Sequence, residues 1–300
     1  RDDQPGTRLS NLDYAPLAEI MGRVPWAAEI FNCNAPDSGT MELLQIAATP
    51  AQAVRWLDPL LAGTIRSCFA MSEPDTASSD PTQLTTRIQR DGDHWVLNGR
   101  KWFITGAAHP QCQLLIVLCR NADADDSADP DSHHRHSMVL VPVGTPGVEV
   151  VRNIHVLHHH APEGHCEIRL HNVRVPATAL LGDWGQGFAM AQARLGPGRV
   201  HHCMRTIGQC ELALRLATER ALERTAFGKP LADQANVQEW LAAMAGAGYV
   251  EYDAAGDLFT LPDEHALFLT DPGSEYYLGG LYGGVPGLLA MAPKLAEAFR

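Results

Sequence analysis

Two short segments, Cys68–Pro74 and Lys101–Thr105, constrain the fold of this chain more than any others. Each segment closes an apolar run with a hydroxyl-bearing residue, Ser72 in the first and Thr105 in the second. Between them, the turn signal Asp91-Gly92-Asp93 separates two strand-like stretches and predicts a β-hairpin. A flat heteroaromatic ring needs apolar walls and a few fixed donors at its edge. The pattern therefore predicts a ring-binding slot on a β-sheet.

Each segment taken singly has a simpler explanation. Glu73-Pro74 is typical of a strand end that runs into a turn, because the residue before a proline favours extended backbone. Phe103 and Thr105 are equally compatible with core packing and a satisfied hydroxyl. The joint order of the two segments around one hairpin favours the functional interpretation.

Hydrophobic periodicity orders the chain as helices, a compact β-region and further helices. Helical spacing predicts helices over residues 14–32 and 50–65 and a long helix over 187–222, interrupted near 196–198. Alternating or short apolar runs predict strands at 84–90, 94–97, 114–119, 138–142 and 165–176. The polar stretch 121–136 predicts a solvated loop.

Composition excludes several functional classes. A net charge of −12 argues against nucleic-acid binding, which requires clustered cations. No apolar run approaches the ~20 residues of a membrane span. The seven scattered cysteines contain no C-x-x-C pair and favour a reducing compartment, so we expect a cytoplasmic protein. The runs among the 14 histidines lack convergent ligand spacing, and we assign no metal.

The sequence from Phe69 to Gly106 resembles the middle domain of the acyl-CoA dehydrogenases, and further motifs of that family follow in register. These are Asn172–Pro176, Leu180–Gly182, Gly185–Phe188, Arg194–Arg205 and Arg220–Leu231. The resemblance spans residues 12–236 and implies an α+β fold. We expect a partial N-terminal helical domain at 1–66, a β-barrel middle domain at 67–184 and the first part of a C-terminal helical domain at 185–236.

The resemblance also implies a function. A family member oxidises a fatty acyl-CoA to the trans-2-enoyl-CoA with FAD and passes electrons to an acceptor of the electron-transfer flavoprotein type. Assembly as a homo-oligomer is implied as well, since part of the cofactor site is reached from a neighbouring subunit.

Individual residues take their implied roles from the matching motifs. Flavin contacts are implied for Phe69, Met71, Ser72, Ser79, Phe103, Thr105, Arg224 and Phe227. Ser79 is also placed beside the CoA thioester, and Arg199 in the substrate cavity. Many family members have glycine before that serine, and Ser78 is tolerable there if its φ is negative. Arg224 and Phe227 are expected to reach the FAD of a neighbouring subunit, although a surface arginine at a helix end is common.

The catalytic base is not identified from the sequence. The family requires a carboxylate to remove the substrate α-proton, and one family solution places it at the start of the long helix. Gly196-Pro197-Gly198 occupies that position here and offers no carboxylate.

The resemblance ends near Asn236, so we expect the C-terminal helical domain to be truncated. Residues 237–300 resemble the N-terminal winged-helix module of certain S-adenosylmethionine-dependent methyltransferases, with a helical stripe followed by a predicted hairpin. No glycine-rich cofactor turn accompanies them. The alternative to an enzyme impaired by truncation is therefore a non-catalytic fusion or relic that acts as an interaction module.

Overall fold

The computed structural model describes residues 9–123, 132–156, 158, 161, 163–246, 251–253 and 258–260. The chain divides into two compact units, one formed by residues 29–199 and the other by residues 1–28 and 200–300. The helices of the described residues are α1 (Asn11–Gly22), α2 (Ala27–Ile30), α3 (Asp37–Ala47), α4 (Pro50–Gln52), α5 (Asp58–Leu61), α6 (Gly187–Glu223) and α7 (Ala235–Gly246). A π-helical turn, Ala53–Leu57, joins α4 to α5.

Most strands belong to the unit of residues 29–199. They are β1 (Arg66–Ala70), β2 (Arg87–Asp91), β3 (His94–Thr105), β4 (Cys112–Asn121), β5 (His136–Pro142), β6 (Val148–Asn153), β7 (His165–Pro176) and β8 (Leu180–Leu181). The remaining strands form two small hairpins, β9 (Thr225–Ala226) with β10 (Lys229–Pro230) and β11 (Glu251–Asp253) with β12 (Leu258–Thr260).

A single eight-stranded sheet runs in the order β6-β7-β3-β2-β4-β5-β8, and β1 pairs in parallel with β4. One buried core contains residues of strands that are distant in this order, such as Val139 of β5 and Ile168 of β7. The sheet therefore curls around that core. The predicted β-barrel is corrected in one respect: β6 and β8 are the ends of the sheet and do not pair in the described part of the chain.

Alternate residues of β4 belong to two different cores because successive side chains of a strand point to opposite faces. Leu115 and Val117 enter the core inside the curled sheet. Leu114 and Ile116 enter a second core, which the sheet shares with α3, α5 and the start of α6. β4 is buried on both faces, as its continuous apolar run requires.

Two helices begin at capping boxes that the sequence encodes locally. The Ser10 hydroxyl accepts a hydrogen bond from the Asp13 backbone N–H, and Asp13 accepts one from the Ser10 backbone in return. Thr49 and Gln52 repeat this arrangement at α4, with Pro50 at the first helical position. Such caps satisfy backbone donors that the first helical turn leaves unpaired.

The hairpin prediction is confirmed, and each predicted strand is present, although β2 begins at Arg87 instead of residue 84 and β3 extends to Thr105. Strand β6 was not predicted. Asp91 pairs with His94 across a two-residue turn in which Gly92 has a φ of 62°. Strand β7 has the predicted bounds of 165 and 176.

Several helix predictions are wrong. The helix predicted over 14–32 stops at Gly22, because Pro25 disfavours helical backbone in the residue before it. Helix α3 was not predicted. The helix predicted over 50–65 ends at Leu61. The long helix α6 is continuous through Pro197, which removes one helical hydrogen bond without breaking the helix.

The C-terminal part of the chain is described only in pieces. Helix α7 and the antiparallel pair β11–β12 lie where a helix and a hairpin were predicted. The turn at 254–257 and all residues from 261 onward lie outside the described residues, and so does the segment 124–131 of the predicted loop. The resemblance of 237–300 to a winged-helix module stays a prediction. No helix that the structure describes is both long and apolar enough to cross a membrane.

Gly147 gives a direct test of the β6–β7 geometry. Its φ is 90°, and a Cβ added there would lie 2.1 Å from the backbone oxygen of His171. We expect Gly147→Ala to lower the free energy of unfolding by roughly 1–3 kcal/mol in urea denaturation. Gly144→Ala is the matched control because nothing lies within 4 Å of its added Cβ. Equal stability of the two variants would contradict the described strand pairing.

Candidate functional site

Strand β1 is fixed at its start by a buried carboxylate. Asp37 Oδ1 accepts hydrogen bonds from the Ser67 backbone N–H at 2.7 Å and the Ser67 hydroxyl at 2.6 Å. Burial raises the pKa of the Asp37 carboxyl, and these hydrogen bonds and Arg66 oppose the rise. The start of β1 is thereby attached to α3.

A buried ion pair fixes the segment that follows β1. Lys101 is fully buried, and its Nζ lies 2.8 Å from Glu73 Oε1, from the Met71 carbonyl oxygen and from the Leu118 carbonyl oxygen. The three acceptors match the three donors of an ammonium group.

The other contacts of Glu73 complete the pair. Its carboxylate also accepts hydrogen bonds from the Thr85 backbone and hydroxyl and from the Thr86 backbone. Burial favours a raised pKa, but the charge and hydrogen bond of Lys101 and the threonine donors outweigh it and lower the pKa of Glu73 to about 2. Glu73 is therefore ionised at neutral pH.

These contacts bring together the two segments that the sequence singled out. The backbone N–H of Trp102 donates to the Ser72 carbonyl oxygen at 3.0 Å, one residue along from the Lys101 contact with Met71. The segment after β1 thus lies against the middle of β3.

Phe103 occupies a strained position in β3. The register between β3 and β7 shifts between Lys101 and Ile104, which is a β-bulge. Within the bulge Phe103 has a φ of 51°, and its side chain remains 45% exposed beside the ring of Trp102. A positive φ is rare for a bulky aromatic residue, and such strain concentrates at functional sites. The bulge therefore presents an aromatic ring to an open face.

Thr105 ends β3 next to a histidine. Its Oγ1 lies 3.0 Å from Nδ1 of His165, which is its register partner on β7. A hydroxyl with one such partner keeps further hydrogen-bonding capacity for a ligand.

The two serines in the turn after Glu73, Ser78 and Ser79, have different environments. The Ser78 hydroxyl accepts from the Glu73 backbone N–H at 2.8 Å and contacts its carbonyl oxygen at 3.2 Å, so Ser78 holds the turn. Ser78 is not among the residues with positive φ, which is the condition set for a serine at this position. Ser79, the predicted ligand, is exposed in the same turn.

Phe69 faces the second core, which the sheet shares with α3, α5 and the start of α6 and which we call the helix-side core, rather than open space. Its ring packs against that core, and the Arg194 guanidinium lies 4.1 Å from the ring centroid. Arg194 also donates to the Pro36 carbonyl oxygen at 3.2 Å. Burial lowers the pKa of Arg194 to about 10, although the neighbouring carboxylates oppose this. Arg199, the predicted substrate residue, is exposed on α6.

The other predicted cofactor residues lie in the unit of residues 1–28 and 200–300. Arg224 is exposed directly after α6, and Phe227 occupies the two-residue turn between β9 and β10. Phe227 has a φ of 55° and is 99% exposed. A two-residue hairpin turn commonly uses positive φ, and here it presents the Phe227 ring to solvent.

Comparison with known proteins identifies the family to which this chain belongs. Residues 68–173 match the model of the acyl-CoA dehydrogenase middle domain, and residues 185–254 match that of the C-terminal domain. A Mycobacterium abscessus protein, whose solved structure is described as an acyl-CoA dehydrogenase, is 42% identical with a TM-score of 0.77 over 97% of this chain and 68% of its own. The chain belongs to the acyl-CoA dehydrogenase family.

Two further relatives extend the comparison. The probable acyl-CoA dehydrogenase FadE2 of Mycobacterium tuberculosis is 53% identical over 238 residues, which are 78% of this chain and 56% of FadE2. A glutaryl-CoA dehydrogenase from Mycobacterium smegmatis, solved in complex with FADH2, is 28% identical with a TM-score of 0.58 over 69% of this chain and 50% of its own. The chain therefore spans little more than half the length of FadE2. The C-terminal family model extends to residue 254, beyond the end at 236 that the motifs suggested.

The sequence did not reveal the contacts of four residues at this candidate site. Glu73 and Lys101 each stood inside a recognised motif, but nothing local indicates that they pair across 28 residues. The sequence marks His165 only as the first residue of a predicted strand, and Arg194 only as the first residue of a family motif. Only the strand register and the packing of α6 place them beside Thr105 and Phe69.

We expect Lys101→Met to be strongly destabilising because it leaves Glu73 ionised and buried without its cation. Loss of one partner of a buried pair costs about 3–5 kcal/mol in the free energy of unfolding. The double variant Glu73→Gln with Lys101→Met should recover part of this loss, since no uncompensated charge remains. Lys229→Met, at an exposed lysine, is the control. A single variant as stable as the control would contradict the role of the pair.

Proposed function

We propose that this chain is an FAD-dependent acyl-CoA dehydrogenase that oxidises a fatty acyl-CoA to the trans-2-enoyl-CoA. The observation that carries the proposal is the bulge of β3, which exposes the Phe103 ring next to Trp102, whose backbone N–H donates to the Ser72 carbonyl oxygen of the segment after β1. An aromatic face with adjacent hydroxyl and backbone groups suits the edge and face of an isoalloxazine ring. The complex of the related glutaryl-CoA dehydrogenase with FADH2 supports this choice of cofactor.

Bound FAD would supply the hydride acceptor. The role of the chain is to hold and polarise it: Phe103 provides a packing face, and Thr105 with the Met71–Ser72 backbone provides polar contacts. The contacts of Lys101 with the Met71 carbonyl and with Glu73 hold the Met71–Ser72 backbone against β3 before any ligand binds. Fixed donors of this kind need no reorganisation when charge develops nearby.

The proposed substrate contacts come from the turn after Glu73 and from α6. The exposed Ser79 and Arg199 are available for polar contacts with an acyl-CoA. One family solution places the base at the start of the long helix, and Gly196-Pro197-Gly198, the segment matched to that position, has no carboxylate. In the structure this segment lies inside α6, which begins at Gly187. We assign no residue as the general base, and we propose an electron acceptor of the electron-transfer flavoprotein type.

The proposal is tested by reconstitution with FAD. We expect the purified chain to bind FAD and turn yellow, and the flavin absorbance to bleach when a fatty acyl-CoA is added without oxygen. Phe103→Ala should weaken FAD binding roughly five- to tenfold, because it removes an aromatic contact. Phe31→Ala, at another exposed phenylalanine, is the matched control.

Three outcomes separate the candidate functions. Bleaching by acyl-CoA supports the dehydrogenase. Flavin binding without bleaching favours the alternative of a non-catalytic relic. A chain that binds no FAD contradicts the cofactor assignment.

We further propose that the chain works as a homo-oligomer in which Arg224 and Phe227 contact FAD of a neighbouring subunit. Phe227 is almost completely exposed despite its strained backbone, which a covering partner would explain. A guanidinium such as that of Arg224 suits the pyrophosphate of the cofactor because its fork matches two phosphate oxygens.

We expect Phe227→Ala to lower both the fraction of oligomer and the retention of FAD, because the apolar contact across the interface is lost. Size-exclusion chromatography with light scattering measures the mass of the oligomer, and flavin absorbance of the same peak measures the retained FAD. Phe31→Ala again serves as the exposed-aromatic control. Unchanged mass and flavin content in Phe227→Ala would contradict the shared site.

A further inference from the structure

Thr105 and His165 form a polar pair at the end of the β3–β7 ladder. The distance between Thr105 Oγ1 and His165 Nδ1 is 3.0 Å. The backbone on the β7 side is held independently of this contact, since the His165 N–H donates to Asn153 Oδ1 at 2.8 Å and the Ile154 N–H donates to the His165 carbonyl oxygen at 3.0 Å. The His165 imidazole is thus not needed to hold the strand.

The pair can exist in two hydrogen-bonding states. A neutral imidazole carries its proton on either ring nitrogen, so Nδ1 is a donor in one tautomer and an acceptor in the other. When Nδ1 donates to Oγ1, the Thr105 hydroxyl hydrogen is free to donate elsewhere. When Nδ1 accepts that hydrogen, Oγ1 keeps a lone pair and presents an acceptor instead. Exchange between the two tautomers of His165 therefore changes the Thr105 hydroxyl from a hydrogen-bond donor toward a ligand to an acceptor.

We propose that His165 is a positioning residue that sets the direction of the Thr105 hydroxyl hydrogen toward bound flavin. The inference rests on the proposed function. A flavin ring nitrogen accepts a hydrogen bond in the oxidised cofactor and carries a hydrogen in the reduced one. A hydroxyl with a reversible partner behind it can satisfy both forms, whereas a hydroxyl with a fixed partner can satisfy only one.

The experiment compares the midpoint potential of bound FAD in the wild type, His165→Phe, Thr105→Val and the double variant. His165→Phe removes one hydrogen bond of Thr105 in each redox state. With the oxidised ring the hydroxyl hydrogen still has an acceptor and only a lone pair loses its partner, whereas with the reduced ring the hydroxyl hydrogen itself has no acceptor, so the reduced form is destabilised more. We expect the equilibrium constant for flavin reduction to fall about five- to tenfold, the effect of one hydrogen bond. A tenfold fall is ~30 mV for a two-electron couple.

The double variant distinguishes positioning from a structural role. In the Thr105→Val background, His165→Phe should shift the potential no further, because the hydroxyl through which His165 acts is gone. His165→Gln keeps both a donor and an acceptor, so its midpoint potential should differ from that of the wild type by no more than half of the shift caused by His165→Phe. His171→Phe, on an exposed histidine of the same strand, is the matched control and should leave the potential unchanged. Additive effects, or equal potentials in the wild type and His165→Phe, would overturn the inference.

A second measurement does not depend on flavin. In protein labelled with ¹⁵N-histidine, Thr105→Val should change the tautomer ratio of His165 and leave that of His171 unchanged. An unchanged ratio at His165 would overturn the coupling even if the dehydrogenase assignment holds. Failure of the wild type to bind FAD would instead count against the proposed function.

Discussion

The ion pair between Glu73 and Lys101 is the interaction on which the candidate site depends. Burial of an ammonium group is unfavourable unless each donor has a partner, and Lys101 has three oxygen acceptors at 2.8 Å. Two of these belong to the segment after β1 and one to β4. The pair therefore holds the segment after β1, which belongs to no strand, against β3 and β4 in the buried interior.

The position of β1 explains why the segment after it is available for ligand binding. Within the strand, Cys68 and Ala70 face the core inside the sheet, and Phe69 faces the helix-side core with Arg194 above it. Both faces of β1 are thus used for packing. The ladder with β4 ends at Ala70, the Met71 side chain still packs against the helix-side core, and the candidate site lies where the chain leaves that core.

Each unit of the chain carries an exposed phenylalanine with left-handed backbone. Phe103 and Phe227 have left-handed backbone, which is unfavourable for aromatic residues, and both keep exposed rings. Each is held by a local structure that specifies the conformation, a bulge in β3 and the two-residue turn between β9 and β10. Aromatic side chains held in this way lose little freedom when they bind a ring.

The sequence by itself determined the elements with short-range causes: the Asp91-Gly92-Asp93 turn, the alternating strand at 165–176, the capped helices and the family motifs. It did not determine the continuity of α6 through Pro197 or the contacts of the site. Turn chemistry and alternation act between near neighbours and can be read from their order. The pairing of Glu73 with Lys101, of Thr105 with His165 and of Arg194 with Phe69 was decided only by the tertiary structure, because strand register and helix packing bring together residues that are 28, 60 and 125 positions apart.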